Sequence, residues 1–187
     1  MAAVRELLAE GSFHEAPVEN VAERAGISRA TLYQHFRSRV DLVDAICETF
    51  AVNPALLELR QTVELPEAEA ALAETIALAV RFWASEDDVL RQLYGVQAID
   101  SAARDLVERQ RNDRRGEMQR LAANLRAMGR LRPGVGERRA LEVLMVLTSY
   151  ETFRELRLAG LSERQLAKTL QDSARGLLLA APRTITE

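Results

Sequence analysis

One cysteine, two histidines and one lysine are all that 187 residues hold of those three types. The shortages of cysteine and histidine each remove a class of function. Cys47 has no partner within the chain, so no internal disulfide can form. A small core residue, rather than a redox sensor, is the expected role of a cysteine set among Leu42, Val43, Ile46 and Phe50. His14, His35 and Cys47 are too few and too scattered for a metal site or a nucleophile–base pair. No glycine-rich phosphate loop is spelled out. We therefore expect no catalytic residue, no metal and no cofactor. No run of about 18 apolar residues occurs, and no charged-then-apolar leader starts the chain. The expectation is a soluble cytoplasmic protein with no membrane contact. Aromatic residues make up only 5 %, and no alternating β-type run stands out. The net charge of −3 argues against a protein that holds polyanions by bulk charge.

What is abundant is Ala, Leu, Glu and Arg, all helix formers, and the fold class expected is all-α. Val18, Val21, Ala22 and Ala25 recur at helical spacing and predict a helix over 18–25. Gly26 follows, the residue that takes a left-handed conformation at least cost. Ile27 is placed to plug the gap between two helices. Ser28 is a good N-cap. Leu32 and Phe36, four apart, point to the core, which leaves Arg29, Ala30, Thr31, Tyr33, Gln34 and His35 on the other faces. Helix, glycine turn, helix is the helix-turn-helix arrangement. The second helix is expected to enter the DNA major groove. Its first N–H groups suit a phosphate. Arg29 and Gln34 are long enough to reach base edges, and Thr31 can offer a methyl to thymine or a hydroxyl to phosphate. Tyr33 and His35 can donate to phosphate oxygens. A mere helical corner is the competing reading. Residues 1–47 hold five arginines and seven acids, but the acids fall mostly before Arg24. Arg29, Arg37 and Arg39 cluster at the proposed groove face, where local charge governs phosphate neutralisation.

The run from Val18 to Leu42, with its ending Tyr33-Gln-His35-Phe36-Arg-Ser38-Arg39-Val-Asp-Leu42, resembles the DNA-binding signature of TetR-family transcriptional regulators. The resemblance covers roughly the first quarter of the chain. It implies DNA contacts from Ser28, Arg29, Ala30, Thr31, Tyr33, Gln34, His35 and Arg39. Arg39 stands where the family usually has a phosphate-binding lysine, and it keeps the charge. It also implies a helix-turn-helix domain over 1–50 and a helical ligand-binding and dimerisation domain over 51–187. Family members usually have a longer first helix with basic residues ahead of it. The short helix expected over 2–10 then means either a truncated start or a member without that arm.

Further along, Gly11-Ser12-Phe13 reads as a turn and Pro17 as a helix start. Ser38 and Asp41 open a helix that runs to Phe50. Residues 53–66, with Pro54 and Pro66, read as a break between domains. A helix is expected from Glu67 past Trp83, and a new one is expected to open at Glu86-Asp87-Asp88. Residues 100–128 follow as a long helix with Leu106, Val107, Met118, Leu121 and Leu125 inward. Arg109, Arg111, Arg114 and Arg115 alternate with acids and read as a solvated face. Residues 137–158 read as one helix, apolar from Val143 through Leu147 and so covered on most sides. Ser162 and Gln165 form a capping box, followed by the stripe Leu166, Leu170, Ala174 and Leu177.

Trp83, Tyr94, Gln97, Met118, Met145 and Tyr150 mix apolar bulk with polar tips, as ligand pockets do, although each can also simply fill the core. The last two helices, about 137–158 and 162–179, carry more apolar surface than a monomer needs. By the resemblance they form a homodimer face. Two-fold symmetry would then space two recognition helices for successive major grooves. The function expected is a ligand-responsive repressor, a homodimer binding a palindromic duplex operator and an unknown small-molecule effector. Two alternatives stay open: a ligand-insensitive architectural DNA-binding protein, and a helical small-molecule-binding protein.

Overall fold

The computed structural model describes residues 2–10 and 18–181. The turn expected at Gly11-Ser12-Phe13, the loop residue His14, the helix start at Pro17 and the tail after Pro182 lie outside them. Among the described residues ten α-helices follow one another and no strand occurs. They are α1 (Ala2–Ala9), α2 (Val18–Arg24), α3 (Arg29–His35), α4 (Arg39–Thr49), α5 (Pro54–Thr62), α6 (Ala68–Val96), α7 (Ser101–Ala127), α8 (Glu137–Leu147), α9 (Tyr150–Leu158) and α10 (Glu163–Leu178). A single 3₁₀ turn, Phe50–Val52, follows α4. The chain divides into two compact units. One joins Met1–Asn53 to Ser85–Arg111, and the other joins Pro54–Ala84 to Asn112–Glu187.

The first unit is built on apolar faces at helical spacing. Val4 and Leu7 of α1, Leu32 of α3, Leu42 and Ile46 of α4, and Phe50 are buried, as are Leu90 and Leu93 of α6 and Leu106 of α7. Helix α6 is a departure from expectation. The acids Glu86-Asp87-Asp88 do not open a new helix; α6 runs straight through them for 29 residues. Between Ala68 and Val96 stand no proline and only Gly95, so nothing interrupts the backbone ladder. Glu86 is not a cap: its carboxylate accepts from Arg5 and Asn53 instead. Asp100 caps α7, accepting the Ala103 amide at 2.9 Å.

In the second unit, the break expected over 53–66 holds a nine-residue helix, α5. Pro54 sits in its first turn, where a missing N–H costs nothing. Past its end, Asn124 donates to the carbonyls of Val63 at 3.0 Å and Leu65 at 3.1 Å. The helix expected over 137–158 is in fact two, parted at Thr148-Ser149. Ser149 caps α9 through the Thr152 amide at 3.1 Å. The carbonyls that lose a helical amide find side-chain donors. Trp83 Nε1 donates to Thr148 O at 3.0 Å, Arg114 Nη1 to Met145 O at 2.7 Å, and Thr152 Oγ1 to Val146 O at 2.7 Å. Three side chains therefore settle a break that apolar periodicity does not show. Nor are residues 143–147 covered on most sides: Val146 is 63 % exposed, and Val143, Met145 and Leu147 are half-buried.

Helix α10 begins with the expected capping box, Ser162 and Gln165 each accepting from the other's amide. Its buried stripe is Leu166, Leu170, Ala174 and Leu178, and Leu177 lies outside it, 51 % exposed. Leu178 and Leu179 adjoin an isolated antiparallel bridge between Leu131 and Leu179. There Arg132 N donates to Leu178 O and Ala180 N to Arg130 O, both at 2.9 Å.

Candidate nucleic-acid interface

The turn between α2 and α3 is fixed by its own backbone. Gly26 has φ +65°, in the left-handed region where side chains are strained. The Gly26 amide donates to Glu23 O and the Ile27 amide to Ala22 O, at 3.1 and 3.0 Å. This doubled closure ends α2 as a Schellman-type turn does. Ile27, expected to plug the gap between the helices, is instead exposed, because its backbone rather than its side chain makes the closure.

Ser28 then starts α3. Its hydroxyl accepts the Thr31 amide at 3.0 Å and meets the Thr31 hydroxyl at 2.8 Å. Leu32 anchors the helix in the core at 2 % exposure, while Phe36 leaves the helix as its C-cap and is only half-buried. With Leu32 turned inward, Arg29, Ala30, Tyr33, Gln34 and His35 are all exposed. Thr31 is half-buried and its hydroxyl is engaged by Ser28, so the methyl is the more available part. Tyr33 Oη lies 3.4 Å from Glu19 Oε1. That distance is too long for a strong bond, which leaves the phenol able to turn to another acceptor.

Helix α4 begins directly after. Ser38 Oγ accepts the Asp41 amide at 3.2 Å, and Asp41 accepts the amides of Arg37 (2.7 Å) and Ser38 (3.2 Å). This capping box fixes the entry of α4. The Ser38 hydroxyl and then the Arg37 amide hold the Asp41 carboxyl below its ordinary range. Arg37 is exposed beside it. Arg39 opens α4, and its side chain is outside the described set. Arg24 is tied to Glu10 by two bonds of 2.7 and 2.8 Å, so its charge is already answered. The exposed face from Arg29 to Arg37 thus carries base-reaching amide and guanidinium groups flanked by phenol, imidazole and a second arginine. That mixture sorts naturally into edge contacts and phosphate contacts.

These residues match a known pattern. Residues 1–46 match the family described as bacterial regulatory proteins, tetR family. Over these residues the chain is similar to the TetR family. The match takes in the helix-turn-helix and about a quarter of this chain. The chain is 35 % identical over 51 residues to the HTH-type transcriptional activator FasR of Mycolicibacterium smegmatis. That match takes in 27 % of this chain and 23 % of FasR, so it spans about a quarter of the relative's length. The fold as a whole is similar to that of SmeT, the repressor of the Stenotrophomonas maltophilia multidrug efflux pump SmeDEF, with a TM-score of 0.72 and 18 % identity over 100 % of this chain and 93 % of that one. It is likewise similar to the fatty acid degradation regulator FadR of Bacillus halodurans, with a TM-score of 0.75 and 17 % identity over 94 % and 92 % of the two chains. Identities this low speak for a shared fold alone.

The residues expected to line a ligand site fall in both units of this chain. Trp83, Met118, Met145 and Tyr150 belong to one, Tyr94 and Gln97 to the other. Trp83, Met118 and Tyr150 are buried. The Trp83 ring packs on Tyr150 at 5.6 Å between centroids, and its N–H is engaged by Thr148. Tyr94, Gln97 and Met145 are half-buried. Arg114, expected on a solvated face, is half-buried and bonds Met145 O and Thr148 Oγ1. Sequence reading gave no sign of Arg5–Glu86 or Asp44–Arg109, ion pairs 81 and 65 residues apart. Nothing local in a sequence marks partners so distant. Among the described residues no group of acids, cysteine and histidine is placed to hold a metal ion. None of their helices is long and apolar enough to cross a membrane.

Proposed function

We propose that the chain is a ligand-responsive repressor that binds a palindromic duplex operator as a homodimer. The observation that carries the DNA half is the exposed row Arg29, Ala30, Tyr33, Gln34 and His35 on a helix held from behind by Leu32. Arg29 and Gln34 read base edges. The Thr31 methyl faces a base edge beside Ala30, while Ser28 at the helix start and Tyr33, His35 and Arg39 fix the helix against phosphate. The homodimer reading is supported by Val146, Leu158 and Leu177, which are 63 %, 72 % and 51 % exposed in the single chain. Three large apolar side chains in water on neighbouring helices mark a surface that gains by being covered.

The ligand half draws on relatives. SmeT, similar in fold to this chain, is known in complex with triclosan, and SmeT is a repressor. For this chain the proposed effector contacts are, within one unit, Trp83, Met118, Met145 and Tyr150 and, taken separately in the other, Tyr94 and Gln97. An effector acts only if it prefers one of the two shapes, DNA-competent or not.

The test is selection of duplexes from a random-sequence pool, with sedimentation to fix the oligomeric state. A two-fold symmetric selected sequence bound by a dimer is expected. Failure to enrich any sequence at low salt, with a folded dimer present, overturns the reading. Arg29→Ala or Gln34→Ala should relax preference at particular bases, while Tyr33→Phe should weaken every duplex about equally.

A further inference from the structure

We propose that Glu86, although it lies on α6, is a positioning residue for the DNA-reading helices, holding them through Arg5 and Asn53. The inference rests on the DNA-binding reading and adds to it a residue 81 positions from its partner. Glu86 is only 7 % exposed, and a buried carboxylate is costly unless it is paired and hydrogen-bonded. Here both oxygens are engaged: Oε2 accepts from Arg5 Nη1 at 2.5 Å and Oε1 from Asn53 Nδ2 at 2.9 Å. The second arm of Arg5 donates to Thr49 Oγ1 at 2.9 Å, and that hydroxyl donates to Ile46 O at 2.6 Å. The Arg5 guanidinium also lies 6.0 Å from the centre of the Phe50 ring.

One carboxylate therefore joins α1, the last turn of α4 and the residue after the 3₁₀ turn to α6, all within one unit. Helix α1 packs on α2 and α4, and α2 packs on α3. Fixing α1 and the end of α4 from one point fixes the platform under α3. Another ion pair of this unit that links distant parts of the sequence, Arg109–Asp44 at 2.6 Å, has both side chains about half exposed. A pair of that kind contributes little, and it serves as the control.

The experiment is a double-mutant cycle on the full chain, with Arg5→Met, Glu86→Gln and the pair of them. The probe is the duplex that the wild-type protein selects from a random pool. Each single change is expected to weaken binding roughly tenfold, with the double no worse than either, as for residues acting through one contact. The helical circular dichroism should stay at the wild-type level, and Asp44→Ala should bind as wild type does. Independent, multiplying losses overturn the proposal. So does a lowered melting temperature with unchanged affinity, since that is a purely structural role. Should Glu86→Gln not fold, Arg5→Lys with Glu86→Asp makes the same cycle. Hydrogen exchange without DNA is the second arm. Faster exchange at amides 29–35 and 39–49 in the single variants supports the proposal, and faster exchange confined to α6 overturns it. That arm decides the role of Glu86 even if the wild type selects no duplex, an outcome that would defeat the DNA reading alone.

Discussion

Arg37 and Arg24 stand within one short region, yet the structure gives them opposite expectations in the presence of DNA. Arg37 is exposed at the entry of α4, next to the α3 face, while Arg24 is bonded twice to Glu10. Each phosphate neutralised by a basic side chain adds about 0.9 to the slope of log affinity against log salt. In the proposed homodimer, Arg37→Ala removes two such contacts, so the slope falls by about 1.8. Between about 50 and about 200 mM salt, the wild-type advantage over the variant then shrinks by about twelvefold. Arg24→Ala should leave the slope as it is, because its guanidinium is already answered by a carboxylate. Fluorescence anisotropy of a labelled duplex over a salt series reads both slopes directly. An unchanged slope for Arg37→Ala, or an equal fall for Arg24→Ala, would refute the assignment of phosphate contacts from exposure and pairing.

Three further outcomes are expected. Ser38→Ala should lower the unfolding midpoint at neutral pH, because α4 loses its cap. The Asp41 carboxyl is held low chiefly by that hydroxyl, so this stabilisation is present above the ordinary carboxylate range and lost as pH falls through the depressed value; urea titrations at pH 7 and pH 3 should show the gap closing in acid. The Cys47 thiol is pushed up to about 12, mainly by burial, and the thiolate is the reactive form. Native protein should thus react slowly with an aromatic disulfide reagent and urea-unfolded protein quickly; equal rates would contradict the burial. Trp83→Phe removes the donor to Thr148 O and some core volume, and should cost about 1–3 kcal/mol in denaturant unfolding. A neutral result would mean that the α8–α9 break does not depend on that bond.

The parts legible in the sequence are those whose causes lie within four residues. The Ser28 cap, the Gly26 turn, the Ser38–Asp41 and Ser162–Gln165 boxes and the inward Leu32 all follow from local spacing. The parts that were not legible depend on partners far away. The Thr148-Ser149 break is held by Trp83 and Arg114, 65 and 34 residues distant. Glu86 looks like an N-terminal cap until Arg5 and Asn53 are brought to it. Pro54 reads as a breaker, yet proline also fits a first helical turn, and only packing decides between the two. Leu177 and Leu178 differ by one step around a helix, which is finer than a stripe of alanines and leucines can resolve. Candidate ligand contacts were the least legible. Trp83 and Tyr150 do lie together, but a buried aromatic pair has the same spelling whether it lines a pocket or fills a core.

The unit that contains the helix-turn-helix is discontinuous in the chain, taking Met1–Asn53 together with Ser85–Arg111. Grafting the reading head onto another regulator by a single cut after residue 53 would therefore sever it from the apolar faces of Leu90, Leu93 and Leu106. Any chimera that keeps the specificity of this protein must carry two inserts, and it must cross the parent chain at three seams rather than one.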